Sequence, residues 1–207
     1  MERNRSVDAV KRKPSGAALP NAALTEALHR AFFREWAERG FAAISLERVA
    51  ARAGAGKAAI YRRFSSPQEF AAAAVTALGL GVAMPEDRGS LHADVLAFLM
   101  RLRAVLRHPL IRRILPDLHA EAARSTAMRA LNTTVAEARR AQAQVLLDRA
   151  IARGELDPAV DRDLALDLLP AALYWRMVIL GRTPTRAQVA AQADAVVAAL
   201  RAAAPPA

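Results

Sequence analysis

The stretch RVAARAGAGKAAIYRRF, residues 48–64, carries two Ala-rich helical pieces on either side of a Gly-Ala-Gly break. The second piece is about two turns long and holds Lys57, Tyr61, Arg62 and Arg63. Ile60 and Phe64 stand one turn apart and anchor one side of it. Lys57, Ala58, Tyr61 and Arg62 are left facing away from any core. A short helix joined to its predecessor by a tight Gly-containing turn is a helix-turn-helix pattern. In such a pair the second helix enters the DNA major groove, with its N-terminal residues near base edges. Lys and Arg neutralise phosphates, and a Tyr hydroxyl donates to one. The small Ala58 and Ala59 let the backbone approach the groove floor. Spacing alone leaves an ordinary exposed basic helix as an equal alternative.

Working outward, a first helix is expected over 21–39, with Leu24, Leu28, Ala31, Phe32 and Trp36 on one apolar face. Gly40 fits the left-handed position past its end. Ser45 caps a second helix running to about Ala53, whose Leu46, Val49 and Ala50 face inward. The third helix spans about 57–64. Downstream, Ser66, Pro67 and Glu69 spell a capped start for a fourth helix, with a capping box, to about Val82. A fifth helix is expected over 90–107, then an irregular helical stretch punctuated by Pro109 and Pro116. A long helix over 126–153, one from Asp161 to Leu180 and one capped by Thr185 and Gln188 to about Ala203 complete the pattern. The fold class is all-α, with about nine helices. A three-helix unit over 21–68 precedes a larger helical domain over 69–207, and residues 1–20 form a disordered basic arm.

Net charge is +10, which suits a polyanionic partner. Residues 1–70 hold 13 Lys and Arg against 7 Asp and Glu, while residues 71–207 hold 17 against 13. The excess is therefore denser at the N-terminal end. Cysteine is absent, which excludes disulfides and thiolate chemistry and is compatible with the cytoplasm. The polar N-terminus has no apolar core of a secretory signal. The two greasiest segments are poor membrane spans: one is short, and the other contains Asp167, Pro170 and Arg176.

Residues 41–70, FAAISLERVAARAGAGKAAIYRRFSSPQEF, resemble the N-terminal domain of TetR-family transcriptional regulators. The resemblance rests on Trp36, Gly40-Phe41, Ser45, Val49-Ala50, Gly54, Lys57, Ala58, Ala59, Ile60, Tyr61, Arg62, Arg63 and Phe64, and covers about residues 23–75. Two positions depart from it. Gly56 stands where the family usually has a Ser or Thr cap, and Pro67 where it often has a Lys. The amides at the start of the fourth helix, helped by Gln68, still offer a phosphate site. The resemblance implies that Ser45, Gly56, Lys57, Ala58, Ala59, Tyr61, Arg62, Arg63 and Gln68 form the DNA-binding surface. The C-terminal region resembles a ligand-domain subtype of the same family, which implies a dimer through the last two helices and a cavity in the larger domain.

No enzyme constellation is present. His29, His92, His108 and His119 lack metal-ligand spacing, and no metal or cofactor is expected. Asp163 and Asp167 lie one turn apart, but Asp163 suits the positive end of its helix. Phe98, Leu102, His119, Tyr174 and Trp175 are the candidate pocket residues, pairing apolar bulk with a few polar tips. The helix over 162–180 is apolar on two faces, so one face needs a partner. Leu173, Met177 and Leu180, with Val189, Ala193, Val196 and Leu200 of the last helix, are expected at a two-fold dimer interface. The expected function is a homodimeric regulator that binds a palindromic double-stranded operator and is released by a small-molecule effector. An activator and a non-specific basic nucleic-acid-binding protein are the alternatives.

Overall fold

The computed structural model describes residues 22–79 and 86–203, and all regular structure among them is helical. The expected arm over 1–20 and the end of the fourth helix near Val82 lie outside the described residues. Among the described residues nine α-helices follow one another: α1 (Ala22–Arg39), α2 (Leu46–Arg52), α3 (Lys57–Tyr61), α4 (Pro67–Gly79), α5 (Leu91–Leu106), α6 (Pro109–Ala122), α7 (Thr126–Ala152), α8 (Arg162–Tyr174) and α9 (Arg186–Ala202). A 3₁₀ turn over Phe41–Ala43 follows α1, and a π turn over Trp175–Ile179 extends α8.

Caps set most of the starts. Ser45, Ser90, Ser125 and Asp161 each accept from a backbone N–H in the first turn of the helix that follows. Thr185 and Gln188 form the full capping box. The box expected at α4 is only half made. Ser66 accepts from the Glu69 amide at 3.2 Å, but the Glu69 carboxylate turns to the amide and hydroxyl of Ser65. The stretch after Pro109 is one regular helix rather than an irregular piece. Pro109 occupies its first position, where no N–H is needed, and Pro116 is carried inside.

Two apolar cores result. One gathers α5, the second half of α7, α8 and α9. The other gathers the faces of α1–α4 with Ile114 and Leu118 of α6 and Met128 and Leu131 of α7. Its centre is aromatic: Phe70 of α4 lies 4.6 Å from Phe32 and 4.5 Å from Phe64, and Trp36 lies 4.9 Å from Phe41, centre to centre. Packing of α4, α6 and α7 therefore continues the core of the three-helix unit across residue 68.

One polar tie crosses the same boundary. Asp117 of α6 accepts from the Trp36 indole N–H at 2.6 Å and from the Phe41 amide at 2.8 Å. Gly40, at φ 78, turns the chain beside that carboxylate. A second tie pins the start of α5 to the end of α7. The Arg153 guanidinium reaches Asp87 at 2.8 Å, Asp94 at 2.9 Å and Glu155 at 2.6 Å, and Glu155 accepts from the Leu91 amide.

Candidate nucleic-acid interface

The turn between α2 and α3 is tight because Gly54 takes φ 69, a left-handed conformation that costs glycine little. Gly56 caps α3 at φ −71 and ψ 149 with no side-chain bond. A β-carbon there would meet nothing within 4 Å, so the missing hydroxyl leaves open space. Ile60 fixes the back of α3 at 0% exposure, with Phe64 half-buried one turn on. Lys57, Ala58, Tyr61 and Arg62 are exposed, as the spacing predicts. Ala59 is half-buried instead, which leaves Ala58 as the small exposed residue of α3. Arg63 also departs from the expected set: half-buried, it donates to the Thr25 hydroxyl of α1 at 3.2 Å. Ser45 spends its hydroxyl on the Arg48 amide, and Gln68 is exposed in the first turn of α4.

The charges around α2 carry partners that the sequence pattern does not announce. Glu35 of α1 is at 0% exposure among Arg48 at 2.6 Å, Arg39 at 3.5 Å and Arg52 at 3.6 Å. Arg48 also donates to the Ala43 carbonyl, and Arg52 makes a two-pronged bond to Glu38 at 2.9 and 2.7 Å. These bonds lock α2 against α1 and so fix the angle at which α3 is presented. A signal for them exists. Glu35 sits in the apolar stripe of Leu28, Ala31, Phe32 and Trp36, opposite arginines spaced one turn apart. Glu47 of α2 pairs with Lys57, and that bond and charge hold the ammonium above the usual lysine range.

In the larger domain the five candidate pocket residues are spread over α5, α6, α8 and the π turn. Phe98, Leu102 and Tyr174 pack half-buried against the core. Tyr174 shares a hydrogen bond with His119 across α8 and α6. Trp175 is 58% exposed and points outward. A cleft of about 90 Å³ lies elsewhere, between the end of α5, α6 and the π turn, lined by Leu106, Leu115, Pro116, Met177 and Val178 with Arg112 at its edge. That is smaller than the roughly 300–1,000 Å³ typical of small-molecule sites. Asp163 and Asp167 serve the packing of α8 on α7, since Arg140 of α7 bridges both. No group of His, Asp and Glu suited to a metal occurs among the described residues.

Most of the residues expected at the interface are buried within this chain instead. Leu173, Val189, Ala193 and Leu200 are at 0% exposure, and Met177 and Val196 are also buried, all within this chain's own core. Of that set only Leu180 is exposed. The outward face is Leu164, Trp175, Ile179 and Leu180, with Ala171 between them. On α9 the exposed stripe is Ala187, Ala191, Ala195 and Ala198.

Two family models match the chain. One describes bacterial regulatory proteins of the tetR family and covers residues 30–74. The other describes the tetracyclin repressor-like C-terminal domain and covers residues 85–196. The chain belongs to the TetR family. It is a DNA-binding transcriptional regulator and not an enzyme. An uncharacterized HTH-type transcriptional regulator of Mycobacterium tuberculosis (strain H37Rv) is 35% identical over 163 residues, covering 77% of this chain and 79% of that protein. Another such regulator, of Bacillus subtilis (strain 168), is 26% identical over 144 residues, covering 70% of this chain and 73% of that protein. Among solved structures, Salmonella enterica GusR shares the fold at a TM-score of 0.72 and 19% identity, covering 90% of this chain and 97% of that one. The TetR family transcription regulator SCO0332 matches at 0.64 and 27%, covering 84% and 97%. TetR-family regulators bind operator DNA and ligands and form dimers. Among the described residues no helix is long and apolar enough to cross a membrane.

Proposed function

We propose that this chain works as a cytoplasmic homodimeric repressor, reading a palindromic operator with one α3 per half-site and leaving it when a small molecule binds the larger domain. The observation that carries the reading is the outward presentation of Lys57, Ala58, Tyr61 and Arg62 on a helix locked from behind by Ile60. Lys57, Tyr61 and the helix ends serve phosphates, which position the protein, while Arg62 reaches base edges.

The dimer is formed by the exposed face of α8 and the Ala stripe of α9. Among the described residues, four of the six exposed large apolar side chains, Leu164, Trp175, Ile179 and Leu180, lie on α8 and its π turn. Small residues on α9 allow its backbone close to the partner. Two-fold symmetry then sets the two α3 helices one DNA turn apart, about 34–36 Å.

Release works through α6. The cleft wall includes Leu115 and Pro116, next to Asp117, whose carboxylate holds the end of α1. A ligand that widens the cleft displaces α6 and, through Asp117, the DNA-reading unit. It weakens operator binding only by as much as it prefers the displaced state.

The test is selection of bound duplexes from a random pool, followed by sedimentation of the protein with the enriched sequence. The expected outcome is an inverted repeat with half-sites about 10 base pairs apart and a dimer at micromolar concentration. A monomer, or a pool with no enriched sequence, would refute the proposal.

A further inference from the structure

The cation that opens α3 already has a counter-ion. Glu47 stands in the first turn of α2, and its carboxylate pairs with the Lys57 ammonium. The two side chains are 53% and 67% exposed, so the pair sits at the solvent-facing surface beside α3. The same ammonium lies 5.7 Å from the centre of the Tyr61 ring, a second favourable contact. Arg48, Arg52 and Arg63 are engaged as well, by Glu35, by Glu38 and by Thr25. Residues 22–79 hold eight Lys and Arg against five Asp and Glu, so the unit around α3 carries an excess of only three of the chain's net +10.

We propose that Glu47 is a specificity-determining residue, which keeps Lys57 occupied on non-operator DNA and releases it only where the fitted complex seats a phosphate against the ammonium. This rests on the reading of α3 as the helix that enters the groove. Non-specific binding is almost wholly phosphate neutralisation. A loosely docked protein holds phosphates at water-separated distance, which does not displace a direct carboxylate contact. A fully docked α3 brings the phosphate into direct contact, and a surface ion pair is weak enough to be exchanged. Glu47 thus subtracts one cation per subunit from the sequence-independent term and little from the specific one.

The experiment compares the wild type, Glu47→Gln, Lys57→Ala and the double variant. Each is titrated against the duplex enriched from a random pool and against a scrambled duplex, across a salt series. On scrambled DNA, Glu47→Gln should steepen the log–log salt slope by about 0.9 per subunit, which is roughly a five-fold rise in affinity per subunit at 0.15 M salt. On the enriched duplex it should rise by only about two-fold per subunit, the release of a weak pair. In the Lys57→Ala background Glu47→Gln should change neither. Unchanged scrambled-DNA affinity in Glu47→Gln would overturn the proposal. So would an equal rise without Lys57, which would mean a general field effect. Loss of preference at a single base pair would overturn it too, because Glu47 would then be reading cytosine. A wild type that enriches no sequence would instead remove the reading of α3 on which the proposal rests.

Discussion

Replacing Asp117 tests the tie between the DNA-reading unit and α6. Its Oδ2 accepts both the Trp36 indole N–H, at 2.6 Å, and the Phe41 amide, at 2.8 Å. Trp36 is 1% exposed and Phe41 4%, so neither donor gains water when the carboxylate is removed. A buried donor left unpaired costs about 1–3 kcal/mol, and two of them make Asp117→Ala cost about 2–6 kcal/mol. That is a large part of a stability on the order of 5–15 kcal/mol. Asp117→Asn differs in kind. A single amide oxygen in the place of Oδ2 still accepts both bonds, and only the charge assistance is lost, about 1–2 kcal/mol. Urea unfolding at a fixed protomer concentration measures both, since dimerisation adds to apparent stability. The expected order of midpoints is wild type, then Asn, then Ala. An Asp117→Ala midpoint equal to that of the wild type, or an Asn variant weaker than Ala, would refute the account of the tie.

Four further outcomes are expected. Lys57→Ala should weaken binding to the enriched duplex and lower the salt slope there by about 1 per half-site, with little change on scrambled DNA, where Glu47 already holds the ammonium, whereas Ala58→Leu should block close docking with the unfolding midpoint unchanged, because Ala58 is exposed; salt-series titrations and urea melts separate the two. Trp175→Asp should yield monomers by sedimentation while helical content persists, since that side chain is 58% exposed and faces no core of its own chain. Burial holds His29, edge-on to Phe70 at 5.7 Å, below the usual imidazole range, so its neutral form is favoured in the fold. Its contribution is full above the unfolded value of about 6.5 and is lost as pH falls through that value toward the folded one. His29→Gln should therefore flatten the decline in urea midpoint between about pH 7.5 and 5.5; an unchanged decline would show that His29 does not cause it.

Helix positions are legible in the sequence because they are local. Ser45, Ser90, Asp161 and Thr185 with Gln188 mark starts through bonds to amides three residues on, and the structure makes those bonds. The exposed set on α3 is legible for the same reason, since Ile60 and Phe64 fix which side faces in. What is not legible depends on partners far along the chain. Asp117 reads as an ordinary helix carboxylate until α6 is laid beside Trp36. Arg63 reads as a phosphate ligand until α1 brings Thr25 to it. The outward face of α8 escapes a sequence reading because both of its faces are apolar, and no periodicity says which one the chain keeps for itself. Trp175 misleads twice, because its size suggests burial and its helix changes pitch at that residue.

That change of pitch has its own consequence. The Leu180 amide bonds the Trp175 carbonyl at 3.0 Å, five residues back, where an α-helix would reach four. One residue more per turn rotates everything after it by about 100° relative to a regular helix. Met177 is thereby kept in the core while Ile179 and Leu180 stay outside. In the proposed dimer, chain length at this turn is thus a dial on quaternary geometry. Among relatives, gaining or losing one residue here would swing the end of α8 about its axis without touching the core upstream of it. Divergence in how protomers meet, and so in the operator spacing they accept, would then be written in alignment gaps rather than in substitutions.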